Sequence, residues 1–156
     1  MSHPAFHIRE ASIEDVSVIA DFNLAIARET EGRELDRPTV LLGVHNFIAV
    51  PARGRYFVAQ LEGAVVGQTA FTYEWSDWRN GNFWWLQSVY VHPGHRARGV
   101  FRALFAHIEA LARAAEDCCG IRLYMERENR VAQQAYLKLG LRDSGYEVLE
   151  VDFGTH

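Results

Sequence analysis

The chain has 156 residues, 49% hydrophobic and 23% charged, the size and balance of one globular domain with a buried core. A formal net charge of -4, with fifteen Arg and the single Lys138 scattered along the chain, excludes the clustered basic surface that nucleic acid needs. Val40 to Val50 is interrupted by Gly43, His45 and Asn46, so no stretch has membrane-spanning length, and Met1 to Pro4 lacks signal-peptide character. A cytoplasmic domain spanning residues 1–156 is the expectation.

Phe6 to Arg9 reads as a short strand. Ser12, with Glu14 and Asp15 behind it, signals a helix start. Val16, Ile19, Ala20, Asn23, Leu24 and Ala27 follow at helical spacing, so the first helix should run to about Glu29. An acidic loop, Glu29 to Asp36, precedes a second helix from Pro38 to about Ala49, proline being tolerated at the first helical position.

From residue 55 the period changes to two. Arg55 to Gln60 and Ala64 to Trp75 read as strands joined by a Glu62-Gly63 turn. Asn80-Gly81 marks a second hairpin whose two turn positions favour positive φ, and the next strand runs from about Phe83 to Val91. After Pro93-Gly94 comes a helix with the stripe Phe101, Leu104, Phe105, Ile108, Leu111, Ala112 and Ala115. Ile121 to Met125 reads as a buried strand, Asn129 to Leu139 as a helix stopped by Gly140, and Tyr146 to Phe153 as a last strand. The order β-α-α-β-β-β-α-β-α-β describes an α+β domain on one mixed, mostly antiparallel sheet. Cys118-Cys119 has neither disulfide nor zinc spacing, and no metal is expected.

The densest signal lies between Val89 and Phe101. A strand, a turn with Gly94, and the mouth of a helix place unpaired backbone N–H groups beside Arg96 and Arg98. That arrangement suits a phosphate or pyrophosphate. The residues alone leave a second reading open: a plain turn with two solvated Arg.

The segment resembles the acyl-CoA-binding motif of the GNAT superfamily of N-acetyltransferases, Arg/Gln-x-x-Gly-x-Gly/Ala after a strand of the form apolar-x-Val-x-Pro. Arg96 and Gly99 hold the first two defined places, and Val89, Val91 and Pro93 hold the strand pattern. Phe101 stands where the family has Gly or Ala. In register with Leu104 and Ile108, its ring is expected to face the core and leave its N–H to the pyrophosphate. Asn129-x-x-Ala132-x-x-x-Tyr136-x-x-x-Gly140-Leu141 resembles the family's later signature. The likeness covers residues 55 to 142 and is weaker over the N-terminal third.

The resemblance implies attack of a primary amine, on a small molecule or peptide, at the thioester of acetyl-CoA. The implied CoA contacts are Val89, Tyr90, Val91, Arg96, Ala97, Arg98, Gly99, Val100, Phe101 and Asn129. An oxyanion donor is expected from a bulge at about Val89 to Val91, and Tyr136 takes the general-acid position. Some family members use a strand Glu as base, but Phe83 to Val91 has no carboxylate. Glu29, Glu74, Glu126 and a water chain remain open for that role. All four Trp fall between Trp75 and Trp85, and aromatic rings near carboxylates suit a cationic amine. Glu29, Glu74, Trp75, Trp85 and Glu126 are therefore the candidate acceptor contacts, with a hydrophobic hairpin packed on a second subunit as the alternative. Homodimers are common in the family. A module that binds acyl-CoA without catalysis is the competing function.

Overall fold

The computed structural model describes residues 6–154, in two compact units that divide between Leu123 and Tyr124. In the first, strands β1 (His7–Glu10), β2 (Gly54–Leu61), β3 (Ala64–Ser76), β4 (Gly81–Val91) and β5 (Cys118–Leu123) form one sheet in the order β1-β2-β3-β4-β5. The first four are antiparallel, and β5 joins β4 in parallel. A parallel neighbour needs a crossover, which helix α3 (Val100–Ala114) supplies.

Helices α1 (Val16–Glu31) and α2 (Arg37–Ala49) precede β2. Ser12 and Asp15 form a capping box at the short 3-10 turn Ile13–Asp15 that leads into α1. The buried Asp15 carboxylate accepts from Ser12 N at 2.8 Å and also from both Arg9 Nη atoms at 2.8 Å. Arg9 is the first cause holding the Asp15 carboxyl below its ordinary range. Asp36 caps α2 by accepting from Thr39 N.

Period-two alternation divides the sheet between its faces. Tyr56, Val58 and Ala70 pack with Ile19 of α1 and Val44 of α2. Phe57 stacks on Phe71 and meets His107 of α3 from the other side. Close helix–sheet contact fixes Gly67, where an added Cβ would lie 2.7 Å from Val100 Cγ1. The β3–β4 connection differs from a two-residue turn: Asp77 to Asn80 form it, only Asn80 takes positive φ, and Gly81 already pairs with Ser76. Among the described residues no helix is long and apolar enough to cross a membrane.

The second unit contains α4 (Arg130–Lys138), capped by Asn129, whose side chain accepts from Ala132 N at 3.1 Å. Gly140 follows at φ 97. The alternating segment Tyr146 to Phe153 carries no strand, and Tyr146, Val148, Val151 and Phe153 are exposed. Alternation specifies a face, whereas a strand also requires a ladder partner.

Candidate active site

Strand β4 changes character along its length. From Asn82 to Leu86 it is paired on both edges, with β3 and with β5. The β5 register ends at Leu86–Leu123, so among the described residues Gln87 to Val91 have no partner on that side. On the β3 side the register jumps from Ala70–Gln87 to Gln68–Tyr90. Ser88 and Val89 therefore stand opposite Thr69 alone, which is a bulge, and Ser88 sits at φ 55.

The extra residue reverses which face each side chain meets. Trp84 stacks on Phe71, the ring shared with the α3 side. Tyr90, of the same parity, packs on Phe22 of α1. Two buried side chains tie down the bulge carbonyls: Thr69 Oγ1 donates to Gln87 O at 3.2 Å and Gln68 Nε2 to Ser88 O at 3.2 Å.

The open edge leads through His92 to Gly99 into α3. Ala97 and Gly99 both lie in the left-handed region, at φ 62 and 84, and α3 has no side-chain cap among the described residues. Successive N–H groups in such a turn form an anion-binding concavity, and the first N–H groups of a helix have no intrahelical partner. Arg96 Nε donates to Val91 O at 2.9 Å, which folds the side chain back over the strand end. Arg98 is exposed. Val100 is buried against Gly67, while Phe101, at the edge of the stripe, is half-buried with its ring 6.1 Å from Phe105.

Of the acceptor candidates, Glu29 is brought to this site. Tyr90 Oη donates to its Oε2 at 2.6 Å and Arg96 Nη2 to its Oε1 at 2.7 Å. These two bonds, the Tyr90 one first, hold the Glu29 carboxyl below its ordinary range. Glu74 and Trp75 stand at the opposite end of the hairpin, paired with Phe83 and Asn82. At ~3.3 Å per residue, Phe83 lies roughly 17 Å along β4 from Ser88 of the bulge. Glu74 accepts from Arg122 there at 2.9 Å, and that guanidinium covers Phe83 at 3.7 Å and reaches Trp85 at 5.9 Å.

A cavity of about 460 Å³ opens between α1, α2 and the sheet. Gln87 and Ser88 line it at the bulge, and Asn23 and Tyr56 line it from α1 and β2. Asn23 Oδ1 accepts from Gln68 Nε2 at 2.8 Å, and Asn23 Nδ2 donates to Tyr56 Oη at 3.2 Å. Sequence reading passed over this network. The signal was present as Asn23 inside an apolar helical stripe and Gln68 inside an apolar strand, since a polar side chain on a buried face needs a buried partner.

Residues 19–141 match the acetyltransferase (GNAT) family. The chain is a GNAT-family protein. It is similar to the crystal structure of a possible acetyltransferase from Clostridium difficile 630, with 42% identity, a TM-score of 0.88, and coverage of 94% of this chain and 97% of that one. A predicted acetyltransferase with acetyl-CoA from Clostridium acetobutylicum is 17% identical over 97% of this chain and 99% of its own, with a TM-score of 0.76. The ribosomal-protein-alanine N-acetyltransferase from Brucella melitensis biovar Abortus 2308 is 16% identical over 96% and 99%, with a TM-score of 0.77. At those identities the last two show a shared fold. No curated protein matches the chain.

GNAT acetyltransferases use acetyl-CoA, and the first unit fits it. An unpartnered strand edge can pair with an amide-bearing arm, and the uncapped α3 mouth can take a pyrophosphate. In the second unit, Tyr136 of α4 is half-buried, and burial raises its phenol above the usual 10.0. Asn129 Oδ1 is engaged as the α4 cap, and Glu126 accepts from Glu128 N at 3.1 Å in the preceding turn.

Proposed function

We propose that this GNAT protein is an N-acetyltransferase that delivers the acetyl group of acetyl-CoA to a primary amine by direct attack, with residues 1–156 acting as one catalytic domain. The observation that carries this reading is the open, bulged edge of β4 running into the uncapped start of α3. When bound, acetyl-CoA supplies an activated acetyl thioester and a thiolate leaving group. Main-chain groups of Val89 to Val91 would pair with the pantetheine arm, and an N–H freed by the bulge would donate to the thioester oxygen as charge builds there. N–H groups from Ala97 to Phe101, with Arg96 and Arg98, would hold the pyrophosphate.

Tyr136 is the general acid of this reading, donating a proton to the departing sulfur. The phenol carries its proton throughout the neutral range, burial raising its pKa above the usual 10.0, so a proton is available to donate. Thiol release from acetyl-CoA, measured across a panel of amines, tests the reaction. Amine-dependent release supports it, whereas acetyl-CoA binding without release under any amine describes a non-catalytic module. Tyr136→Phe should lower kcat by about 100-fold with the KM for acetyl-CoA unchanged. An unchanged kcat removes Tyr136 from the mechanism.

A further inference from the structure

The cavity beside the bulge carries a statement about the acceptor, and it rests on the amine-transfer reading. We propose that the acceptor is a primary amine on an uncharged, apolar body without a carboxylate, bound between α1, α2 and the sheet. The volume of about 460 Å³ falls within the range of small-molecule pockets, roughly 300–1,000 Å³. Its position is suitable because Gln87 and Ser88, which line one end, are the residues at which β4 bulges and loses its β5 neighbour.

The lining selects the chemistry. Ile26, Val40, Val44, Phe47, Tyr56 and Ala70 supply apolar walls, with the Phe47 and Tyr56 rings edge to face at 5.4 Å. The polar groups Asn23, Thr30, Gln87 and Ser88 are neutral. Among the described residues no Lys or Arg lines the cavity, so an acceptor carboxylate would be desolvated without a partner. The one lining carboxylate, Glu31, is exposed and lies 3.7 Å from Arg33. A polyamine would therefore bring a second ammonium to a lining whose one carboxylate, Glu31, is exposed and already faces Arg33.

The same surroundings act on the reacting nitrogen. Desolvation disfavours an ammonium and lowers its pKa. Neutral polar groups of the lining at the bulge, Gln87 and Ser88, can still orient the free amine. The cavity thereby favours the nucleophilic form although β4 offers no carboxylate base.

Three probes separate the alternatives: 2-phenylethylamine, L-phenylalanine (the same body plus a carboxylate) and spermidine. With acetyl-CoA, kcat/KM for 2-phenylethylamine should exceed that for either other amine by about 30-fold or more, the scale of one unpaired buried charge. Gly43 of α2 lines the cavity and has open space where a Cβ would stand. Gly43→Leu should therefore raise the KM for 2-phenylethylamine by about tenfold and leave that for acetyl-CoA unchanged. Gly43→Ala, which adds one methyl and improves helix propensity, controls for backbone effects. Equal or better use of phenylalanine or spermidine overturns the proposal and leaves N-acetyl transfer standing, as does an unaltered KM in Gly43→Leu. If none of the amines is acetylated, transfer itself fails, and calorimetric titration of 2-phenylethylamine decides the pocket separately. Binding to the wild type that Gly43→Leu abolishes supports the assignment, and no binding to the wild type refutes it.

Discussion

The two halves of β4 show how one strand serves two purposes. Asn82 to Leu86 is saturated: both edges are paired, Trp84 stacks on Phe71 at 4.1 Å, and Phe83 lies under Arg122. Gln87 to Val91 is the reverse, one-sided and bulged, with Ser88 in the left-handed region and its carbonyl held by a side chain. The first half gains stability from burial and from strand partners on both edges. The second leaves main-chain groups without a strand partner among the described residues, which costs stability and, in the proposed reaction, supplies the directed donors. Within β4, the demand of the proposed reaction thus falls on five residues, and the adjoining core holds them in place.

The largest effect should come from the saturated half. Trp84→Ala removes a buried ring stacked on the centre of the core, and large aromatic truncations cost about 3–5 kcal/mol. The value should fall near the lower end, because the buried Trp84 Nε1 has no hydrogen-bond partner among the described residues and its desolvation penalty disappears with the ring. Denaturant unfolding measures this. Well below the new melting temperature, the KM for acetyl-CoA should be unaltered.

A smaller loss of stability and a larger loss of turnover should follow from Gln68→Leu. Gln68 is fully buried, and its Nε2 serves Asn23 Oδ1 and Ser88 O. Orphaning those acceptors should cost about 1–3 kcal/mol. The bulge carbonyl would lose its anchor, and kcat should fall about tenfold or more as the donor geometry loosens. If Trp84→Ala and Gln68→Leu lose activity only in proportion to stability, the distinction between the two halves fails.

Much of this division was legible from the residues. Period-two segments, the Glu62-Gly63 turn and the amphipathic run from Phe101 to Ala112 located the sheet and α3 because each reports a local periodicity. The turn between Val91 and Val100 was legible because its glycines and Arg fall beside a helix start. The cavity was not, since Asn23, Tyr56, Gln68 and Ser88 meet only when α1, β2, β3 and β4 have assembled. The distance of the Trp cluster from the bulge was hidden for the same reason: composition locates aromatic rings in sequence, while strand register sets where they stand along the hairpin. Tyr146 to Phe153 shows the remaining gap, because alternation cannot name the partner that a ladder requires.

Glu29 gives the mildest and most specific test of the functional half. Its carboxylate joins Tyr90 Oη and Arg96 Nη2, and both ion-pair partners are more than one-third exposed. Glu29→Gln should therefore cost about 0.5 kcal/mol or less. The folded carboxyl is depressed below the ordinary 4.5, first by the Tyr90 hydroxyl and then by Arg96. Its contribution is thus fully present above the unfolded value and fades as pH falls through the lower folded one. The stability difference between wild type and Glu29→Gln should be constant from pH 6 to 8, the ordinary range above carboxylate titration, and should fade as pH falls below the ordinary 4.5. Binding should move the other way. In the proposed reading the carboxylate competes with an incoming pyrophosphate for the Arg96 guanidinium, so its removal should lower the KM for acetyl-CoA by about twofold to fivefold, with the larger change at low salt. A raised KM would instead make Glu29 a brace that holds Arg96 ready for the phosphate, and the open half of β4 would then depend on α1 for its cofactor geometry as well as for its cavity.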